Sequence, residues 1–259
     1  MLQIKSKREI EKMRASGKLV GAILSKIREL VVPGVSLLEL DAVAERMTLE
    51  GGAKPAFKGY MGYRHTLCTS VNEQVVHGIP SNRRLKEGEI VGVDFGLVLD
   101  GYYGDSAITL PVGKVSLSAM KLMKATHDAL YAAVEASRAG NTLKDVAGAV
   151  ERTVKPHGYG IVRDFVGHGI GQKLHEPPQV SNTVGAASNL KLMPGLTIAI
   201  EPMINEGSPA IKVLGDRWTT VTQDGGLSAH FEHTILITEG EPEILTAWEG
   251  NTYGTWLNG

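Results

Sequence analysis

The chain carries an internal repeat, and this feature most constrains its fold. The segment PGVSLLELDAVAERMTLEGG, which begins at Pro33, aligns with AGNTLKDVAGAVERTVKPHG, which begins at Ala139, at a constant offset of 106 residues. Farther along, LKEGEIVGVD aligns with LMPGLTIAIE at an offset of 107, which matches Asp94 with Glu201. Because two separate segments share nearly the same offset, the repeat predicts two structurally similar halves.

Capping boxes, in which a Ser or Thr precedes an acidic residue by three positions, predict where the helices of each half begin. Four helices are expected: from Ser6–Glu9 to Pro33-Gly34, from Ser36–Glu39 to Gly51-Gly52, from about Ser118 to Gly140, and from Thr142–Asp145 to Pro156-His157-Gly158. We therefore predict one α+β domain over residues 1–259, with pseudo-two-fold halves of about 1–110 and 118–259. Each half should contain two helices and several antiparallel strands.

The bulk properties exclude several classes of protein. With 259 residues, of which 42% are hydrophobic, the chain can form a large core. Its net charge of −1 gives no electrostatic signature of nucleic-acid or anionic-membrane binding. Cys68 is the one cysteine, which excludes an internal disulfide and a cysteine-rich zinc module. The charged N-terminus and the absence of a long apolar run predict a soluble cytoplasmic protein.

Two aspartates, Asp94 and Asp105, lie in a predicted hairpin with the sequence VGVDFGLVLDGYYGDSAITL. Aspartate is depleted in strands and rarely buried without a partner or a metal. Asp100-Gly101 predicts a two-residue turn, in which opposed residues carry numbers that sum to 201. Asp105 then lies opposite Gly96, and the two carboxylates become diagonal neighbours about 7–8 Å apart at Cα. The alternative is a polar strand face exposed to water.

Two later strands each carry a carboxylate on the face that points away from the core. Glu201 shares this face with Ala199 in TIAIEPMI, and Glu232 lies between His230 and Thr234 on this face of SAHFEHTILI. Together with the hairpin aspartates, four buried carboxylates without compensating charge would be prohibitively costly. Two divalent cations would neutralise them, and two-metal sites hold their ions about 3.5–4 Å apart.

A nitrogen ligand is expected from VGHGIGQKLHEPP, which places His168 between Gly167 and Gly169, and His175 seven positions later. Glycine on both sides lets the backbone approach a site closely. For either histidine alone, a surface or hydrogen-bonded side chain is the alternative. Their joint occurrence in a glycine-rich stretch, on the strand before Glu201, favours a metal site.

The combined pattern closely resembles the type I methionine aminopeptidases. The resemblance rests on the candidate ligands and on the motifs VNEQVVHGIP, GHGIGQKLHEPP, IEPMI and FEHT around them, and it covers nearly the whole chain. It implies the pita-bread (creatinase/aminopeptidase) fold, in which two pseudo-symmetric halves surround a dinuclear metal site. The implied ligands are Asp94, Asp105, His168, Glu201 and Glu232. The length fits a bare catalytic domain of the bacterial form.

The resemblance implies metal-dependent removal of the initiator methionine from nascent proteins and peptides whose second residue is small. Four carboxylates and one imidazole form an oxygen-rich set that suits two ions of Co, Mn, Fe(II) or Zn. A hydroxide bridging the ions would attack the carbonyl carbon after methionine. Glu201 is implied to act also as general base and acid, His77 to contact the scissile nitrogen, and His175 to stabilise the tetrahedral oxyanion.

The resemblance also implies a methionine pocket that departs from that of some other members at two positions. Phe57 and Leu174 replace a cysteine and a phenylalanine, which predicts a different pocket shape. Taken alone, the stretch PAFKGYMGY indicates an aromatic loop or sheet edge, for which packing is the alternative explanation. The implied pocket residues are Phe57, Tyr60, Tyr63, Leu174 and Trp218.

A loop that binds a monovalent cation, sodium or potassium, is implied by Asn72, Gln74 and Ser228. The expected partners are nascent polypeptide N-termini, with no nucleic-acid specificity and no membrane. Contact with the ribosome, the physiological metal and the oligomeric state are left open by the sequence.

Two other functions are compatible with the same fold. An X-Pro dipeptidase or aminopeptidase P shares the five ligands but usually carries an extra N-terminal domain, for which this chain has no room. A pita-bread binding protein that has lost its metals would not be an enzyme. The presence of all five ligands and of both catalytic histidines argues against it.

Overall fold

The computed structural model describes residues 2–247, and within them four helices occupy the predicted positions. The sequence prediction for residues 248–259, as part of the second half, lies outside the described residues. The helices are α1 (Lys7–Leu30), α2 (Leu37–Glu50), α3 (Leu117–Ala136) and α4 (Leu143–Val154), with short 3-10 helices at Tyr60–Gly62 and Lys155–His157. No helix among the described residues is long and apolar enough to cross a membrane.

The predicted capping boxes are present at three helix starts. Ser36 accepts a hydrogen bond from the backbone N–H of Glu39, whose side chain accepts one from the Ser36 N–H, and Thr142 and Asp145 do the same in the second half. These reciprocal bonds satisfy backbone donors that a helix start otherwise leaves unpaired. The helix starts are therefore fixed locally, as predicted.

The strands of the described residues are all antiparallel to their neighbours. They are β1 (Lys54–Pro55), β2 (Leu67–Val71), β3 (Gln74–Val76), β4 (Ile90–Leu99), β5 (Tyr102–Pro111), β6 (Gly160–Ile161), β7 (Gly167–Gly169), β8 (Glu176–Val180), β9 (Thr197–Ile200), β10 (Met203–Asn205), β11 (Ile211–Val213), β12 (Thr220–Thr222), β13 (Ser228–His230), β14 (Glu232–Leu236) and β15 (Glu243–Ile244).

One large sheet combines strands from both halves of the repeat. Within residues 2–247 its main path runs β1-β4-β5-β14-β9-β7-β8, with β2 paired to β4 and β15 paired to β14. Two three-stranded sheets, β13-β10-β6 and β11-β12-β3, complete the strands. The main core is continuous across the halves, since it includes Val20, Phe95, Val150 and Ile198. The mixed helix and sheet content agrees with the predicted α+β class.

Equivalent backbone contacts recur in the two halves at the predicted offsets. The Gly34 N–H donates to the Leu85 carbonyl at 2.8 Å, and the Gly140 N–H donates to the Leu192 carbonyl at 3.0 Å. In each half this bond joins the turn before the second helix to the segment that leads into a sheet strand. The sequence repeat is thus a structural repeat at these positions, whereas the division near residues 111–117 stays a prediction.

Candidate metal centre and active site

The hairpin of β4 and β5 brings the first two carboxylates together in the predicted register. Asp100 and Gly101 both have left-handed backbones, with φ of 49° and 80°, as a tight two-residue hairpin turn requires. Gly96 pairs with Asp105, and Asp94 pairs with Ala107. The register prediction is confirmed, and Asp94 and Asp105 are diagonal neighbours on one face of the hairpin.

That face is buried, which excludes the water-exposed alternative. The Asp105 residue is only 4% exposed. A Cβ atom added at Gly96 would lie 3.0 Å from both Asp105 Oδ1 and Phe57 Cε1. Glycine at this position therefore lets an acidic group and an aromatic ring approach the same strand.

Strand β14 adds the third carboxylate directly beside the hairpin. Glu232 pairs with Ala107 of β5, which also pairs with Asp94 of β4. Glu232 and Asp94 therefore lie on opposite sides of the same alanine, on the two strands that neighbour β5. His233 pairs with Ile200, the last residue of β9, and Glu201 directly follows that strand. The strand order β4-β5-β14-β9 thus brings four carboxylates that are distant in the sequence into one acidic cluster.

His168 adds the nitrogen donor from β7. Its Nδ1 atom lies 2.9 Å from the Gly169 carbonyl oxygen, which can only accept, so Nδ1 carries the proton and the Nε2 lone pair is free. This Nε2 atom lies 3.9 Å from Asp105 Oδ2 and 3.7 Å from Glu201 Oε1. One donor atom from each of Asp105, His168 and Glu232 lies within 4.8 Å of the others. This arrangement matches a metal-ligating histidine oriented by a backbone carbonyl.

The sequence indicated that the two glycines beside His168 let the backbone approach a bound group, but the structure gives another reason for them. A Cβ atom at Gly167 would lie 2.3 Å from the Ala199 carbonyl oxygen, and one at Gly169 would lie 2.3 Å from that of Pro177. These glycines therefore accommodate the backbones of neighbouring strands rather than a bound group.

The acidic cluster lacks compensating positive charge among the described residues. Burial raises the pKa of Asp94 to about 7. Burial, followed by repulsion from neighbouring carboxylates, raises the pKa values of Asp105, Glu201 and Glu232 well above their usual range. Within residues 2–247, Asp94 Oδ1, Asp105 Oδ1 and Glu232 Oε1 are buried without a hydrogen-bond partner. Such oxygens fit divalent cations, which supply the missing charge.

His77 and His175 lie beside this cluster. His77 has a left-handed backbone with φ of 59°, a conformation uncommon for residues other than glycine. Burial, and then the nearby His175, lowers the pKa of His77 to about 4. His175 lies in the loop before β8 rather than on a strand, which corrects the sequence prediction. Its ring stands edge-on to the His168 ring at 4.3 Å, and burial lowers its pKa.

The twelve residues predicted as metal ligands, catalytic groups or pocket residues all line one cavity of about 290 Å³. Tyr63 is 4% exposed, and its ring contacts the Trp218 ring edge-on at a centroid distance of 4.9 Å. Leu174 is buried, whereas Tyr60 is 40% exposed and lies at the rim. The residues are Phe57, Tyr60, Tyr63, His77, Asp94, Asp105, His168, Leu174, His175, Glu201, Trp218 and Glu232. Their individual roles stay predictions.

The structure adds residues to which the sequence gave no role in the site. His230 lines the cavity, and its Nε2 atom lies 3.8 Å from Glu201 Oε2. Burial lowers the pKa of His230 to about 3. The sequence did contain a signal for this position, because His230 lies two residues before Glu232 and so on the same face of the predicted strand. Phe165, whose ring contacts His77 edge-on at 5.2 Å, also lines the cavity, and no sequence pattern pointed to it.

The predicted monovalent-cation loop lies near the second and third strands. The Ser228 N–H donates to the Asn72 carbonyl oxygen at 2.9 Å, and Gln74 Oε1 accepts from the Val71 N–H at 2.9 Å. Asn72 has a left-handed backbone with φ of 56°. Asn72 and Ser228 are thus adjacent, while cation binding stays a prediction.

Comparisons with known proteins place these features in context. A family model described as metallopeptidase family M24 matches residues 11–239. The methionine aminopeptidase of Clostridium perfringens is 45% identical over 246 residues, which cover 95% of this chain and 99% of that protein. The solved structure of methionine aminopeptidase from Thermotoga maritima is 44% identical, with a TM-score of 0.93 and coverage of 95% of this chain and 100% of that one. The prolidase from Pyrococcus furiosus is 26% identical, with a TM-score of 0.75 and coverage of 95% and 66%.

Proposed function

Because the chain belongs to the methionine aminopeptidases of metallopeptidase family M24, it removes N-terminal methionine, and we propose that five cavity side chains hold two divalent cations for this reaction. One observation carries the proposal: three buried carboxylates of the described residues have oxygens without a partner, beside the free Nε2 of His168. The donor set suits Mn, Fe(II), Co or Zn. The proposed ligands are Asp94, Asp105, His168, Glu201 and Glu232.

Glu201 is proposed to move the protons of the reaction. Bound divalent cations lower the pKa of water and so supply hydroxide at neutral pH. In this scheme Glu201 takes up the proton of the attacking water and delivers it to the leaving amine. The position of Glu201 supports this role, because its carboxyl group lines the same cavity as His77 and His175.

The two cavity histidines are proposed to act directly on the substrate. With a pKa lowered to about 4, His77 is neutral at pH 7 and can form a hydrogen bond with the scissile nitrogen. His175 is proposed to donate a hydrogen bond to the oxyanion of the tetrahedral intermediate. A donor fixed in position before the reaction stabilises the developing charge without reorganisation.

The methionine side chain is proposed to occupy the apolar part of the cavity. A closed apolar wall rejects charged side chains because they would lose their hydration without compensation. One methylene in such a pocket is worth only about 1–3 kcal/mol, so norleucine, which is nearly isosteric with methionine, should also be cleaved. The proposed pocket residues are Phe57, Tyr60, Tyr63, Leu174 and Trp218, and the second residue of the substrate should be small.

The proposed substrates are the N-termini of nascent polypeptides, which implies action in the cytoplasm and contact with chains at the ribosome. A sodium or potassium ion is proposed to bind the backbone oxygens near Asn72, Gln74 and Ser228. The hydrogen bond between Ser228 and Asn72 supports this proposal because it brings two of the three positions together.

The specificity is tested by kcat/KM for five peptides: Met-Ala-Ser, norleucine-Ala-Ser, Met-Lys-Ser, Lys-Ala-Ser and Ala-Pro-Ser. Each assay uses metal-free protein to which Mn, Co, Fe(II) or Zn is added. Only the first two should be good substrates. Glu201→Gln should abolish turnover, whereas the exposed Glu239→Gln should not change it.

Two outcomes would replace the proposal by another function. Efficient release of alanine from Ala-Pro-Ser would identify an X-Pro aminopeptidase of the same fold. Failure both to bind metal and to turn over any of the five peptides would instead indicate the non-catalytic binding protein that has lost its metals.

A further inference from the structure

His168 and His175 are adjacent, but their Nδ1 atoms have different partners. His168 Nδ1 faces the carbonyl oxygen of Gly169, which can only accept a hydrogen bond. His175 Nδ1 lies 3.0 Å from the hydroxyl oxygen of Tyr60. A neutral imidazole has one N–H, and the hydrogen bond at one nitrogen decides which nitrogen carries the proton.

The Tyr60 hydroxyl is the better donor of this pair. A phenol is a stronger acid than the N–H of a neutral imidazole, and an imidazole nitrogen lone pair is a stronger acceptor than a phenol oxygen. The O–H group therefore points at Nδ1 of His175, and the ring proton stays on Nε2. Within residues 2–247 the Nε2 atom has no hydrogen-bond partner, so it is available to a ligand in the cavity that His175 lines.

The backbone around Tyr60 holds its side chain at the rim. Gly59, Met61 and Gly62 have left-handed backbones, with φ of 94°, 46° and 89°. The Tyr63 N–H donates to the Tyr60 carbonyl at 2.9 Å, and the Gly59 N–H donates to the Tyr63 carbonyl at 2.7 Å. These bonds close a tight loop, which fixes the direction from which the hydroxyl reaches the imidazole.

We propose that Tyr60 is a positioning residue whose hydroxyl keeps the proton of His175 on Nε2, the atom that donates to the substrate oxyanion. The role of His175 in this statement rests on the proposed function. Tyr60 would then have two separable roles, since its ring lines the methionine pocket and its hydroxyl selects the tautomer. The neighbouring His168 has the opposite tautomer, which leaves its Nε2 lone pair free for a metal.

The tautomer can be read directly in metal-free protein. We would label the histidines with 15N and record long-range proton–nitrogen correlations at pH 8, assigning the signals by loss of those of His175 in His175→Gln. In the unsubstituted protein, Nε2 of His175 should be protonated. In Tyr60→Phe the nitrogen shifts should move toward a mixture of tautomers.

Tyr63→Phe is the matched control for this measurement. Its ring lies in the same cavity, but its hydroxyl donates to the Leu67 carbonyl at 2.8 Å, so the His175 signals should be unchanged. Protonation of His175 on Nδ1 in the unsubstituted protein would overturn the proposal. So would His175 signals that are the same in Tyr60→Phe as in the unsubstituted protein.

Kinetics separate the hydroxyl from the ring. With Met-Ala-Ser, Tyr60→Phe should lower kcat by about tenfold or more and change KM little, because the aromatic ring is retained and only a transition-state contact is weakened. A rise in KM at unchanged kcat would mean that Tyr60 contributes only pocket contacts. If the unsubstituted protein did not cleave methionine, the proposed function would fail, whereas the nitrogen spectra would still decide the tautomer.

Discussion

Lys5 Nζ lies 2.7 Å from Glu176 Oε2, and the two side chains are only 3% and 1% exposed. The pair joins the N-terminal segment to the start of β8, immediately after His175. The backbone N–H of Lys5 donates to the Gly195 carbonyl at 2.8 Å, which holds the same segment against the start of β9.

Lys5→Met should destabilise the protein by about 3–5 kcal/mol, because it leaves the Glu176 carboxylate buried without its counter-ion. The measurement is the free energy of unfolding in urea. Lys26→Met is the matched control: its ion pair with Glu29 has nearly the same length, 2.8 Å, but the side chains are 48% and 66% exposed. Loss of that pair should cost less than about 1 kcal/mol. Equal losses for the two variants would contradict the prediction.

Asp105→Ala should weaken metal binding while the protein stays folded. Burial and the nearby Asp94 raise the pKa of Asp105, so deletion of this carboxyl should not reduce the stability of the metal-free protein at pH 8. Metal analysis should find at least one of the two ions lost. Asp128→Ala, which changes an exposed pair with Lys124, should retain both. Two tightly held ions in Asp105→Ala would show that Asp105 is not a ligand.

His77→Ala should keep both metals but slow turnover of Met-Ala-Ser by roughly 100-fold or more, as expected for loss of a positioned proton-transfer or hydrogen-bonding group. His77→Asn is a useful second variant, because asparagine tolerates the left-handed backbone found here. The two variants should be impaired alike, and the exposed His157→Ala should be fully active. Loss of metal from both His77 variants would instead make His77 a ligand.

The metal-free protein should lose stability as the pH rises from 7 to 8. Unfolded Asp and Glu have pKa values near 4, whereas burial raises that of Asp94 to about 7 and those of Asp105, Glu201 and Glu232 well above their usual range. Above pH 7 the folded state therefore binds more protons than the unfolded state, and stability falls with pH.

Buried histidines act in the opposite direction only at lower pH. The pKa of His168 is lowered to about 4, so its contribution is complete above about 6.5 and is lost as the pH falls toward 4. Urea midpoints measured with a chelator at pH 7, 7.5 and 8 should decline, and excess Mn²⁺ should flatten the decline. A midpoint that stays level or rises in the chelated protein would argue against these raised pKa values.

Several features of the fold were predictable because their signals are local. The turn at Asp100-Gly101 fixes the hairpin register within two residues, and each capping box acts over four. The register in turn placed Asp94 and Asp105 on one face. The internal repeat also indicated a further carboxylate at Glu201, although this residue lies directly after β9 and not within the strand, where the sequence predicted it.

By itself, then, the sequence determined the helix starts, the hairpin register and twelve of the residues that line the cavity. The tertiary structure alone decided which atoms meet: Tyr60 with His175, His230 with Glu201, and Lys5 with Glu176. It also reassigned the glycines beside His168 to strand packing. The sequence could not predict these contacts, because they join segments up to 171 residues apart. Such contacts depend on strand order and side-chain direction rather than on any local preference of the backbone.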